Sequence, residues 1–495
     1  MRRKKNKKKK FLNIFFSIIG IISMVIAILF EINIIRLDML PSKYLIIVTV
    51  ILGLVYLILL LLTLIRSVKL KIKTVCFILF VLFDLIFFFG IKYSDKTMDF
   101  LGKINKELTQ SEIYYLVTKK DSKLNKIKDF NNKDIGIYTK GNTDNLDKAL
   151  DELSDKIAFK EVKFDSTEML FNSLINDKTD GLFINEAIRN HLNTDLSDLN
   201  LELKEIYKVT ISSEKVDIKK SVDVTKEVFN IYIAGGDSYG SIEEITNTDV
   251  NMIVTLDPIN RKILLTSIPR DYYVNLPSFG DDAYDKLTHA GYYGIDESVK
   301  AIEKLLDIEI NYYVKVNFST IEGVIDAIKG VDVYSDFAFQ ADVYPNYYKF
   351  KKGMNHLNGK QALSFARERH SFKDGDVQRV KNQQKVLTAI INKVTKSTAL
   401  ITNYTDILDS VSESFSTNLD TKSINKLVRM QLSNMSGWDI ESQNLIGTDF
   451  YTKNTYTFPE FNLYVMKQDE KSVDKAKEKL NEYLNKKWGV IRWNH

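Results

Sequence analysis

One cysteine in 495 residues, Cys76, leaves no material for an intrachain disulfide framework or for a CxxC zinc or redox site. Five scattered histidines likewise argue against a His/Cys metal cluster. No internal repeat runs through the chain. Acidic residues are scarce in one region only: residues 1–94 hold 3 of the 64 Asp/Glu and 15 of the 69 Lys/Arg. The rest then carries 61 acidic and 54 basic residues, a balance of −7. The pI near 8.7 therefore comes from the front of the chain, which removes the nucleic-acid reading that a basic protein invites. The length allows two or three domains with a substantial core.

What the front of the chain has instead is apolar length. After the basic run 2–10, residues 11–30 and 44–65 carry no charge, and 74–91 carry only Asp84. Each is about what a helix needs to cross a hydrocarbon core of roughly 30 Å. The first is longer than a signal-peptide core and no small-residue cleavage site follows it, so it is expected to stay. Eight basic residues precede the first span and four lie in the loop 66–73, against two in 36–43. The positive-inside rule then puts the amino terminus in the cytoplasm and residues 95–495 outside. The tail is mainly a topology determinant that also attracts anionic headgroups. Asp84 costs about 2.5–3.5 kcal/mol at a span centre, so it marks either a functional or helix-pairing role or a short third span.

Beyond residue 133 short strands (135–138, 159–164, 181–185) alternate with helices (145–155, 166–176, 186–192), the pattern of a small α/β unit with a parallel sheet. It shows neither a glycine-rich phosphate loop nor a clustered acid/base pair. The polar stretch 212–226 reads as a linker. The next domain opens with a buried strand at 228–234, then a hairpin of 250–256 and 263–268 turned by Asp257-Pro258-Ile259-Asn260. A helix at 296–306, a strand at 310–318, a helix opened by a capping box at Ser319-Thr320-Ile321-Glu322 and closed by Gly330, and a strand at 331–334 follow. Helices are expected at 423–432 and 472–486. The fold class is α/β, in three parts: a basic tail with three transmembrane helices (1–94), a small α/β accessory domain with its linker (95–225), and an α-β-α layered domain (226–495).

Three clusters in that last part could carry chemistry. Asp237 follows Gly235-Gly236 at a strand end and Asp249 begins the next strand; two such carboxylates can share a hard cation such as magnesium, or each can be a turn or cap residue. In Ile268-Pro269-Arg270-Asp271 proline stops a strand and presents an arginine whose fork of donors suits phosphate. Finally, Arg367 and Arg369 share a face only if the chain is extended between them, whereas Arg379 and Gln383 share a helix face beside Asn382 and Gln384. Four arginines and an amide converging on one cavity imply a polyanion; a solvated helix with i,i+4 pairs is the plainer reading of 360–386.

The runs NIYIAGGDSYG (230–240), TDVN (248–251), IPRDYYV (268–274), DKLTHAGYYG (285–294), INYYVKVNF (310–318), GVDVYSD (330–336) and SFARERHSFKDGDVQRVKNQQKV (364–386) closely resemble the LytR-CpsA-Psr family, especially its capsule-type members, which also have three spans and an accessory α/β domain. The resemblance covers about 225–495. It implies a membrane-anchored phosphotransferase that moves a glycopolymer, capsular or teichoic-acid-like, from a polyprenyl-pyrophosphate carrier to cell-wall peptidoglycan on the outer face of a Gram-positive-type membrane. By the same resemblance Asp237 and Asp249 match magnesium ligands, with manganese the alternative ion. Arg270, Arg367, Arg369, Arg379 and Gln383 match pyrophosphate-binding side chains, and Lys286 a basic residue near the lipid head. Where the family usually has Arg-Ser-Asp this chain has Asn247-Thr248-Asp249, so one phosphate-contacting arginine is replaced.

Phosphoryl transfer rests on positioning and charge neutralisation, so the lack of a Ser/His/Asp triad is no objection. Arg270 would act catalytically, and Asp271 and Asp249 are the candidate bases. Membrane lipid and membrane proteins of polysaccharide synthesis are the further expected partners, and nucleic acid is not one. Two other readings use the same cavity: a non-catalytic regulator that binds the lipid carrier, and a polyprenyl-pyrophosphate hydrolase.

Overall fold

A computed structural model describes residues 2–104, 110–139, 143–194, 199–213, 218–236, 247–342, 347–396, 404–411, 414–459 and 461–484. They fall into two compact units: Met1–Asn105 with Thr395–Ser412 and Asp420–Gly437, and the remainder.

The first unit is built on three helices, α1 (Arg2–Leu37), α2 (Ser42–Leu64) and α3 (Leu70–Ile104), each long and apolar enough to cross a membrane. Aliphatic residues cover most of their exposed surface, while Tyr56, Cys76, Phe80 and Phe87 pack between them. Asp84 of α3 accepts hydrogen bonds from Ser23 of α1 (2.5 Å) and Tyr56 of α2 (3.5 Å), so one carboxylate joins all three helices. That favours the helix-pairing reading of Asp84. Two helices from late in the chain belong to this unit. Tyr404–Val411 pairs Asp409 with Lys96, and Thr421–Ser433 pairs Arg429 with Asp38 at 2.8 Å and bonds Asn425 to the Leu37 carbonyl at the end of α1.

The second unit holds two sheets. The smaller, in order β3-β2-β4-β1-β5, comprises β1 (Gln110–Lys119), β2 (Asp134–Tyr138), β3 (Lys160–Phe164), β4 (Gly181–Asn185) and β5 (Leu203–Ser213), with α4 (Thr143–Ser154), α5 (Thr167–Ile175) and α6 (Glu186–Thr194). The expected parallel sheet is mixed. Strands β2, β3 and β4 are parallel, but β1 runs antiparallel to both β4 and β5. The run Ile113-Tyr114-Tyr115-Leu116-Val117 is buried on both faces, which makes β1 an interior strand.

The larger sheet has the order β16-β11-β6-β7-β8-β17: β6 (Phe229–Gly235), β7 (Val250–Asp257), β8 (Lys262–Ile268), β11 (Tyr312–Val316), β16 (Phe415–Thr417) and β17 (Asp439–Asn444). Beside it lie the short pair β9 (Tyr273–Asn275) and β10 (Tyr284–Lys286) followed by the one-turn helix α7 (Leu287–Ala290), the ribbons of β12 (Val331–Ser335) with β15 (Gly353–Leu357) and β13 (Phe339–Gln340) with β14 (Lys349–Phe350), and the ribbon of β18 (Gly447–Thr452) with β19 (Leu463–Gln468). Alternation along the strands splits the side chains between two layers. Tyr232, Ile253, Leu264 and Tyr313 face a core made with α8 (Ile295–Leu306) and α12 (Glu470–Leu484). Ile233, Met252 and Val316 face the opposite layer of α9 (Phe318–Ala327), α10 (Gly359–Arg367) and α11 (Gly375–Lys396). This is the expected α-β-α arrangement.

Helix α9 starts earlier than expected. Its cap is Asn317, whose side chain accepts from Thr320 N while the Thr320 hydroxyl accepts from Asn317 N; the box at Ser319–Glu322 is displaced because Asn317, directly after β11, is still extended and takes the cap position. At Gly359 a Cβ would meet the Glu322 carbonyl oxygen at 2.4 Å, so only glycine lets α10 cross α9 this closely. That crossing holds the carboxyl end of α10 over the sheet.

Candidate functional site

The site is assembled from strand ends and one broken helix. Strand β8 stops at Pro269, and Arg270 emerges with its backbone carbonyl held by Thr288 N at 2.8 Å. Its Nη1 donates to Asp249 Oδ1 at 2.8 Å, and its Nε lies 3.5 Å from Asp271 Oδ2. Asp249 is positioned by its own N–H, which bonds the Gly235 carbonyl at the end of β6. Lys286, nearly buried at the end of β10, sits 3.9 Å from Asp271 Oδ1.

The other arginines come from α10 and α11. Arg367 is the last residue of α10 and stacks its guanidinium on the Phe318 ring at 4.3 Å. Glu368 then turns extended and is fully buried, its carboxylate accepting from Asp342 N and Ser371 N. The break that the arginine spacing requires is thus locked by a charged residue. Arg369 follows, with Nη1 3.9 Å from Asp376 Oδ1, and Arg379 donates to Asp376 Oδ2 at 2.7 Å. Asn382 and Gln384, which sequence placed in the same cluster, serve the scaffold instead. Asn382 donates to the Phe365 carbonyl, and Gln384 to Ser267 at the end of β8 and to the Gln443 carbonyl.

Electrostatics draw these groups into one neighbourhood. Burial lowers the pKa of Arg379; Asp376 opposes this, and the positive charges of Arg270 and Arg369 add to it. Burial also acts on Arg270, but Asp249 and Asp271 outweigh it and its pKa is raised. The Nε donors of both arginines are buried without a hydrogen-bond acceptor, as are the hydroxyls of Thr248 and Thr288. Buried donors left without acceptors are costly, and an anion would satisfy them.

Next to this charged cluster lies an apolar cavity of about 690 Å³, counting its open mouth. Ile233, Val250, Met252, Ile321, Leu363 and Ile390 contribute to its wall, and Arg367 and Gln383 are its polar members. The structure therefore separates the predicted residues into two connected groups: Arg270, Asp249, Asp271, Lys286, Arg369 and Arg379 in the charged cluster, and Arg367 with Gln383 on the cavity wall. Asp237 lies outside the described residues. Among the described residues no group of three His, Cys, Asp or Glu could hold a metal ion. Asp249 keeps its Oδ2 clear of the Arg270 pair, so it fits as one carboxylate ligand of a hard cation.

Sequence reasoning assigned nothing to Asp285 or His289. Asp285 is fully buried, bonds His289 Nδ1 at 2.7 Å and accepts from Thr457 N at 2.7 Å. Burial raises its pKa, but His289 and Thr457 together bring it below the ordinary value. The pair braces Lys286 and, through Thr288, Arg270. The i,i+4 spacing of Asp285 and His289 was the available signal. The loop bearing Thr457 also carries Phe458, on which His191 of the smaller sheet domain stacks at 3.7 Å.

The fold is a layered α/β domain in which arginines with buried, unsatisfied donors adjoin an apolar cavity, the division of character that an amphipathic polyanion has. Residues 196–482 match the LytR_cpsA_psr family, and the chain belongs to it. Among its relatives are the polyisoprenyl-teichoic acid–peptidoglycan teichoic acid transferases TagU of Bacillus cereus, 37% identical over 208 residues, and TagT of Bacillus subtilis, 34% identical over 270 residues. The first alignment covers 42% of this chain and 64% of TagU, so the chain spans just under two thirds of that relative; the second covers 52% and 81%. Among solved structures, Bacillus subtilis TagV is 31% identical, with a TM-score of 0.44 over 52% of this chain and 98% of that one. A structure of TagT bound to LIIa-WTA is 28% identical, with a TM-score of 0.44 over 55% and 97%.

Proposed function

We propose that this protein is a membrane-anchored phosphotransferase that moves a glycopolymer, capsular or teichoic-acid-like, from a polyprenyl-pyrophosphate carrier to peptidoglycan. The observation that carries the reading is the junction of two arginines, Arg270 and Arg379, each with a buried, spare Nε donor, and an apolar cavity whose wall includes Arg367 and Gln383. A diphosphate on a hydrocarbon tail has that division of character, and the named activities of TagU and TagT agree with it. The three apolar helices are long enough to tether the chain to a membrane, and the basic charge around them supports an outer location, where peptidoglycan lies, for the part after the third span.

The arginines bind the diphosphate and stabilise charge that develops on the leaving polyprenyl phosphate. A peptidoglycan hydroxyl attacks the phosphorus that carries the glycopolymer, the bond to the bridging oxygen breaks, and polyprenyl phosphate leaves. The hydroxyl proton goes to one of the carboxylates flanking Arg270, Asp271 or Asp249. Asp249 with Asp237 would hold magnesium, which supplies further charge neutralisation at the diphosphate.

The test is to incubate purified full-length protein with a polyprenyl-diphosphate glycan and wall glycan, and to identify every phosphorus-containing product. Transfer gives polyprenyl phosphate and a phosphodiester on the wall glycan, whereas hydrolysis gives a free glycan phosphate. Arg270→Ala and Arg379→Ala each remove a charge-assisted contact worth roughly 1.5–3 kcal/mol and should slow transfer by about 10- to 150-fold with the fold intact. Wild-type turnover by either variant would reject the site.

A further inference from the structure

The β18–β19 ribbon carries an aromatic pair that the chemistry above does not use. Tyr451 and Tyr464 are cross-strand partners on the ribbon face they share with Asp449 and Met466. Their rings lie 5.7 Å apart at 66°, and Tyr451 is 61% exposed. The Tyr464 hydroxyl donates to Asp449 Oδ1 at 2.9 Å. Leu463 and Val465 anchor the ribbon from its buried side, so its stability does not require the tyrosines.

The ribbon is fixed to the charged cluster. Met466 N donates to the Asp271 carbonyl at 2.7 Å, and Tyr272 bridges Met466 in parallel register. Tyr464 thus stands two residues along a strand that touches the residue next to Arg270. Burial, the bond to Asp449, and the charges of Asp449, Asp271 and Asp376 all raise the Tyr464 pKa, which keeps its hydroxyl a neutral donor.

We propose that Tyr451, Tyr464 and Asp449 form the docking platform for the sugar chain that supplies the attacking hydroxyl; this rests on the transferase reading above. Pyranose rings present C–H faces that stack on exposed phenol rings, and their hydroxyls donate to a carboxylate. Two tyrosine faces with one carboxylate between strands offer both contacts on a rigid support. A neutral glycan suits this surface. A phosphate-rich donor polymer does not, since Asp449, with Asp271 and Asp376 near it, meets it with like charge. Continuity with Asp271 puts the docked chain within reach of the diphosphate held by the arginines.

The experiment uses full-length protein in detergent micelles and a neutral β-1,4-linked N-acetylglucosamine oligosaccharide, titrated without lipid donor by saturation-transfer NMR. Tyr451→Ala with Tyr464→Ala should weaken sugar binding by about tenfold. Tyr464→Phe, which keeps the ring, should lose only a small part. In the transfer assay the double variant should raise the acceptor KM by about tenfold while donor affinity, measured separately, changes by less than about twofold. If the double variant fails to fold, Tyr451→Ala alone must still weaken sugar binding, because that side chain is exposed. Unchanged sugar binding, or a loss confined to donor affinity, overturns the platform. A wild type that binds sugar through these tyrosines yet transfers nothing would reject the transferase reading and leave the platform standing.

Discussion

Half-buried Arg270 and buried Arg379 respond to desolvation in opposite directions, because Arg270 has two carboxylates at hand and Arg379 shares Asp376 with Arg369. Their surplus of donors is what a diphosphate would use, and the family resemblance implies a further arginine where this chain has Asn247. Asn247 stands two residues before Asp249, where an amide offers ordinary hydrogen bonds and no charge. Asn247→Arg is expected to tighten lipid-diphosphate binding and raise transfer, by about tenfold for each 1.4 kcal/mol recovered in the transition state. A tighter Kd without a faster rate would assign the arginine to the ground state. Lower activity on the natural carrier would mean that Asn247 is matched to a different head group. The proline stop before Arg270 and the spacing of Arg367 and Arg369 were visible in sequence, but only the family resemblance grouped them with Arg379, since the residues alone read as plainly as a solvated helix. The Asp285–His289 brace was not legible, because its remaining partner, Thr457, lies 172 residues further on.

At the scale of elements, periodicity recovered most of the strands and helices that frame the cavity. It failed where the local pattern lacked its usual neighbour. Strand β1 has no α-helix between it and β2, so the alternation that reveals β2 to β4 does not extend back to it. The cap of α9 was displaced for a similar reason, since Asn317 follows directly on β11 and is already the cap of the helix. The crossing of α9 and α10 left only a glycine as its mark in sequence. Gly359→Ala forces a Cβ into the Glu322 backbone, and overpacking of this kind costs about 1–3 kcal/mol. Thermal unfolding in detergent should show a lower Tm, and lipid binding should weaken as the cavity wall at Arg367 shifts. An unchanged Tm would mean that the two helices separate freely.

For the whole molecule, charge distribution alone sets the expected orientation, and the joining of Ser23, Tyr56 and Asp84 shows that the spans form one packed bundle. Reporter fusions at Lys73 and His495 should report opposite sides of the membrane, with Lys73 in the cytoplasm. Both on one side would remove the topology and the peptidoglycan acceptor with it. The participation of the helices Tyr404–Val411 and Thr421–Ser433 in the anchor unit was not legible, since nothing local in those segments points to partners so far back in the chain.

That participation also has a consequence in time. Asp38 and Arg429 are 391 residues apart, so at about 5–20 residues per second the ribosome needs roughly 20–80 s after making the first to supply the second. The three spans are inserted, and the whole smaller sheet and every strand of the larger one but β17 are synthesised, before the loop after α1 meets its arginine and Leu37 its asparagine. The three helices are thus made long before the two that complete their unit, and a chain released between them would reach the membrane but leave its anchor incomplete.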